Sequence, residues 1–349
     1  MKRVHRGYAV VILVVVMAML ATAWLITSFG ATAVRIERER KTTAALALAK
    51  QALIGRATAD ASLPGSLPCP DAQTNISGNV PNDGVADLFA GTNCPSYLGR
   101  LPWRTLGLPD LRDADNERLW YALSPNFRDF ASQVTINDAT PGTLSVAGNA
   151  PAANVVAIVF APGSPLTGQS RGSTVERTNA ANYLDAANAA GGPAFTAQAA
   201  NAAFNDRLAV ITVGDLMTVV EKRVAYELSA VINKYFLAHS VLPTPAAASD
   251  FSCLPSGDAA MCLPSGSVAT GILPRNLGAG TGWPGVTFPV WFNANWRTSV
   301  SYTVVAECTS LPACANTTFS PMTDAGLFPP KVTLVIGSVT RLTIREVAR

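Results

Sequence analysis

Residues 8–34 carry no charged side chain. As one helix the run would extend about 40 Å, at about 1.5 Å per residue. A bilayer core needs about 20 apolar residues, so the run predicts a membrane-spanning helix with some tilt. Lys2, Arg3 and Arg6 precede it, which argues for a cytoplasmic N-terminus and a C-terminal part outside. Arg35, Glu37, Arg38, Glu39, Arg40 and Lys41 end it with mixed signs. Small residues at Ala21–Ala23 and Ala31–Ala33 fit signal-peptide cleavage. The run is nevertheless longer than a signal h-region of about 7 to 15 residues, so retention in the membrane is the reading.

The composition narrows the function classes. Hydrophobic residues make up 49% of the 349 residues and charged residues 14%, against about 25% charged in an ordinary soluble domain. The net charge is +3, and no Lys/Arg stripe lies beyond the N-terminus, so no nucleic-acid partner is expected. The two histidines are His5 and His239. They exclude a His-rich metal site and leave His239 as the one candidate for His-dependent catalysis. The six cysteines fall as Cys69 and Cys94, Cys253 and Cys262, Cys308 and Cys314. None forms C-x-x-C or has a His partner at zinc spacing. An even count beyond a membrane segment points to disulfides in an oxidising compartment. Sequential pairing is the simplest of about 15 connectivities, and the sequence leaves the choice open.

Residues 35–59 lack Pro and are rich in Ala, Leu, Lys and Glu, so the helix is expected to continue. Leu46, Ala49, Leu53 and Ile54 can share a face there. Pro64, Pro68 and Pro70 then forbid helix. Residues 155–160 and 208–213 read as buried strands, and 173–206 as loop with short helix. Asp215 is placed as the cap of a second helix reaching about His239. Its apolar stripe is Leu216, Val219, Val220, Val224, Leu228, Val231, Ile232 and Tyr235. Strands are expected at 299–305, 332–336 and 339–344, with a Gly337–Ser338 hairpin turn. Both halves run helix, Pro-rich break, Cys, Trp and Tyr in that order, which reads as two tandem modules.

Arg6-Gly7-Tyr8-Ala9-Val10-Val11, followed by the apolar run, resembles the N-terminus of type IV pilin-like proteins, including the pseudopilins of type II secretion. The resemblance implies a leader cut after Gly7, a mature chain starting at Tyr8, and methylation. The family usually has Glu five positions in; Ile12 stands there. That departure fits a minor subunit, one that loses the Glu contact to a neighbour's amine. Residues 47–55, Leu67-Pro-Cys-Pro-Asp71, the run 99–109, Phe204-Asn-Asp-Arg207 and the run 220–225 resemble a group of pseudopilin-like envelope proteins. The resemblance touches most of residues 1–235.

The expected architecture is α+β: a long N-terminal membrane-spanning helix packed on an antiparallel β-sheet head, in two tandem pilin-like modules. The expected layout is a cytoplasmic leader at 1–7, a transmembrane helix at 8–34 and a periplasmic helical extension at 35–60. A first head module follows at 61–214, then a second helix with a β-rich module at 215–349. The expected function is a structural minor subunit of a type II secretion or type IV pilus system, in the bacterial inner membrane with a periplasmic head. Expected partners are the inner membrane, other pilin-like subunits, prepilin peptidase and secreted cargo. A membrane-anchored binding module outside any filament is the alternative.

Two chemistries compete with that structural role. Gly168-Gln-Ser-Arg-Gly172 matches a nucleophile elbow, with Ser170 as nucleophile, His239 as base and Asp206 or Asp215 to orient it. Pro162, Gly163 and Pro165 break the strand-to-Ser approach that an elbow needs, so an envelope serine hydrolase is the lesser reading and no catalytic residue is assigned. Asp71, Asp83 and Asp87 are calcium candidates. The full alternation of a calcium loop is missing, and an Asp-Gly turn explains the same residues. No other cofactor is expected. The six Trp are read as core.

Overall fold

The computed structural model describes residues 5–72, 82–132, 134–239, 270–273, 287–305, 331–336 and 340–344. The chain opens with one helix, α1 (His5–Ala59). The strands β1 (Leu98–Arg100), β2 (Trp120–Leu123), β3 (Leu144–Gly148), β4 (Ala152–Ala161), β5 (Ala194–Ala197) and β6 (Arg207–Thr212) form the first sheet. A second helix, α2 (Val213–His239), leads to β7 (Thr270–Gly271), β8 (Val300–Val305), β9 (Lys331–Ile336) and β10 (Thr340–Ile344), which form the second sheet.

Strand β4 organises the first sheet. Its apolar run has β2 and β3 along one edge and β6 along the other. A register shift between Val155 and Ala157 bends it. Val156 and Ala157 consequently both join the core under the helices, as a bulge permits. Val155, Ile158 and Phe160 face the opposite side, where they pack with Trp120, Tyr183 and Phe195. The sheet is thus buried on both faces. The helices cover one, and the segment 162–193 covers the other.

The helical faces follow from spacing. Thr42, Ala45, Leu46, Ala49, Leu53 and Ala57 of α1 are buried, a stripe of three- and four-residue steps. Leu216, Val220, Val224, Leu228 and Ile232 form the matching stripe on α2, while Val219 is exposed. Asp215 is not the cap residue itself. Thr212 caps, and Asp215 answers it: each side chain accepts from the other's backbone N–H at 3.1 Å. Lys50 of α1 donates to Val210 O at 2.7 Å and to Asp215 at 3.0 Å, joining both helices to β6. Arg223 of α2 donates to the carbonyls of Thr58 and Asp60 (the latter at 2.6 Å), where the last carbonyls of α1 lack helical partners.

Two expectations about the fold are corrected. First, among the described residues no helix is long and apolar enough to cross a membrane. Second, the first sheet is mixed rather than antiparallel, because β5 runs parallel to β3. After β4 the segment 162–193 brings the chain back beside the start of β3, and β5 sets off in the same direction. Among the described residues the two halves share one core. The first sheet runs β1-β2-β4-β3-β5 with β6 on β4, and the second runs β10-β9-β8-β7. One hydrophobic cluster passes from Leu53 and Leu63 through Leu216 and Leu228 to Trp291, Trp296, Tyr302 and Leu334. Asn295 seals the join: its carbonyl accepts from Asn137 Nδ2 at 3.0 Å and its side-chain oxygen from Ile136 N at 3.2 Å. The last two strands, β9 and β10, pair antiparallel from Ile336 and Thr340 outward; the expected Gly337–Ser338 turn lies outside the described residues.

Candidate functional site

Two stretches singled out in the sequence, 67–71 and 99–109, meet at one place. Proline-rich 67–71 cannot be helical, so its backbone pairs laterally. Leu67 N donates to Phe127 O at 2.7 Å, and Asp71 and Arg100 exchange both backbone hydrogen bonds at 3.0 and 2.7 Å. Gly99 makes this approach feasible, since a Cβ there would lie 2.8 Å from Asp71 O. A disulfide between Cys69 and Cys94, with Cα atoms 5.5 Å apart, ties the loop back to the head.

The Asp71 carboxylate builds the next loop. Its oxygens accept from Asn82 N at 3.0 Å and Gly84 N at 2.9 Å. Burial, with Asp87 and Asp83 nearby, raises its pKa to about 6 despite those bonds. Gly84 has φ +83°, and a Cβ on it would lie 2.3 Å from Trp103 Nε1. Asn82 O in turn accepts from Arg118 Nη1 at 2.6 Å.

Beside this loop lies a cavity of about 500 Å³, lined by five arginines together with Tyr183, Glu117, Asp115, Asn116 and Asn82. β1 supplies Arg100. The turn after Asp110 supplies Arg112 and Arg118, and the covering segment supplies Arg171 and Arg177. Asp113 shapes the turn by accepting from Asp115 N and Glu117 N at 2.8 and 2.9 Å, and from Gly163 N at 2.9 Å. Arg100 is 6% exposed. Its Cζ lies 4.3 Å from the Trp120 ring centroid and 3.9 Å from that of Tyr183, a stacking that suits a planar guanidinium. Desolvation pulls its pKa down to about 10. Arg171 approaches the same Tyr183 ring at 4.4 Å. It also donates to the carbonyls of Asn182 and Gly163 at 2.6 and 2.8 Å.

The covering segment is pinned by a pair of buried carboxylates. Asp206 accepts from Asp185 N and Asn188 Nδ2, both at 2.8 Å. Asp185 accepts from Asn205 N at 2.7 Å and Gln169 Nε2 at 3.0 Å. Burial raises the Asp206 pKa to about 7, with the Asp185 charge adding to the rise. Arg207 continues the link by pairing with Glu39 on α1.

The predicted site residues are thereby dispersed. Ser170 donates to Glu176 Oε1 at 2.7 Å and sits in a turn with no strand leading into it. Asp206 is engaged with Asp185 and Asn188, and Asp215 with Lys50 and Thr212. The side chains of His239 and Tyr8 lie outside the described residues, as do all of Cys253, Cys262, Cys308 and Cys314; Gly7 lies in α1. Asp71, Asp83 and Asp87 do come together, but around backbone N–H groups. Asp87 accepts from Ala72 N at 3.1 Å and Asp83 from Val85 N at 2.8 Å. Among the described residues no group of three His, Cys, Asp or Glu could hold a metal ion. The arginine cavity was not foreseen from the sequence. Its residues are spread from 82 to 183, and the one local signal was Arg100 inside the 99–109 motif. Set against known protein families, curated proteins and solved structures, the chain matches none.

Proposed function

We propose that this protein is a minor pilin-like or pseudopilin-like subunit of a bacterial envelope assembly, of the type II secretion or type IV pilus kind. The observation that carries the reading is the division of labour along α1. Its residues 45–57 are built into the head, whereas Val11, Ile12, Leu13, Val14, Val15, Val16, Met17, Met19 and Leu20 are each 44% to 65% exposed. Those side chains occupy every side of the helix, not one stripe. A helix that is apolar all round needs cover all round, and a bundle of like helices from neighbouring subunits provides it. Ile12 in place of an acidic residue fits a subunit that joins such a bundle without the usual charged contact. The Cys69–Cys94 disulfide supports an oxidising location for the head, such as the periplasm.

Co-expression with a prepilin peptidase tests the proposal. Mass spectrometry of the product should find a mature terminus at Tyr8. An intact Met1, or cleavage near Ala23 or Ala33, would overturn it.

A further inference from the structure

The arginine cavity holds more positive charge than its own carboxylates balance. Asp110 serves Arg112 and Arg118 together, at 2.7 and 2.9 Å. Glu117 pairs with Arg171 at 3.1 Å, and Asp115 is taken by Arg38 at 2.5 Å. Arg100 and Arg177 have no carboxylate partner among the described residues. Arg100 donates to the carbonyls of Arg118 and Arg177 at 3.0 and 3.3 Å, and Arg177 to those of Arg171 and Gly172 at 3.3 and 3.2 Å. Arg100 Nε is buried with no hydrogen-bond partner at all. A guanidinium stripped of water without a counterion is costly, and an anion in the cavity removes that cost.

We propose that this cavity binds a phosphoryl group, free or carried by a small hydrophilic molecule. Arg100 forms the floor and exposed Arg177 the rim, so donors reach the space from different directions. A tetrahedral oxyanion presents oxygens to both, whereas the two oxygens of a carboxylate lie in one plane with its carbon. Five arginines less Asp110 and Glu117 leave three positive charges, enough for a ligand with two negative charges. The lining is polar apart from the Tyr183 ring, and about 500 Å³ accommodates a small molecule. None of the lining residues lies on α1, so the site stands apart from the assembly reading.

Isothermal titration of the full chain at low salt, with phosphate, pyrophosphate, glycerol 3-phosphate and citrate, is the test. At least one phosphate compound should bind saturably and more tightly than citrate, and should weaken as salt rises. Tight binding of glycerol 3-phosphate identifies a phosphorylated molecule as the ligand class; binding of phosphate or pyrophosphate alone identifies the inorganic ion. Arg177→Gln should weaken binding about tenfold with an unchanged melting temperature, and Glu117→Gln should strengthen it several-fold. No saturable binding by any phosphate compound, citrate binding as tightly as they do, or Arg177→Gln binding like the parent would overturn the proposal.

Discussion

Asp206 shows how one side chain carries a consequence beyond its contacts. Burial and the neighbouring Asp185 raise its pKa to about 7, with Arg171 opposing. The folded state therefore holds this proton more tightly than the unfolded chain does. The stability gained from protonation is full below the ordinary carboxylate value and is lost as pH rises through about 7. Thermal melts should show stability falling across that window. Asp206→Asn keeps the acceptor for Asp185 N and removes the charge. It should flatten the fall and leave the variant more stable than the parent at about pH 8, by about 1 kcal/mol or more. Gly84 is a second such residue. With φ +83° and the Trp103 ring against it, Gly84→Ala should cost about 1–3 kcal/mol in denaturant unfolding. It should also disturb the Asn82 carbonyl that receives Arg118.

At the scale of elements, the two helices behave differently along their lengths. α2 is amphipathic, and its stripe at four-residue spacing leaves little choice of face. α1 is amphipathic in its last turns alone. Leu53, fully buried between α2 and the first sheet, is the position where its packing is most readily tested. Leu53→Ala should lower unfolding free energy by about 2–5 kcal/mol. The Cys69–Cys94 bridge closes a segment with a sequence separation of 25. Chain entropy alone assigns such a bridge about 3 kcal/mol. The double variant Cys69→Ser, Cys94→Ser should melt lower by a matching amount, and reductant should lower the melting point of the parent by more than that of the variant.

Over the whole molecule, the head and the exposed part of α1 are separate in packing. The head has a shared core joining both sheets, while residues 11–20 contribute nothing to it. Val14→Asp with Met17→Asp should therefore leave the head's melting transition in place and abolish association, as read by sedimentation velocity. A loss of the head's transition would place residues 11–20 inside its folding unit instead.

The sequence by itself determined those features that depend on neighbours along the chain. Proline at 64, 68 and 70 ended α1, period-four apolar spacing fixed the buried face of α2, and the apolar run 155–160 became the central strand. Each is a local matter of sterics or periodicity. Tertiary structure decided the rest. β5 was hidden in the Ala/Asn-rich stretch because its pairing with β3 is parallel and remote, with no local alternation to mark it. The cysteine pairing 69–94 was one option among several until the loop geometry closed. The uncharged run 8–34 looked sufficient for a membrane span, yet among the described residues no helix is long and apolar enough to cross a membrane. The arginine cavity was the least legible feature. Coulomb energy and burial depend on distances in space, and guanidinium groups from residues 100 to 177 become one site when the covering segment folds across the sheet.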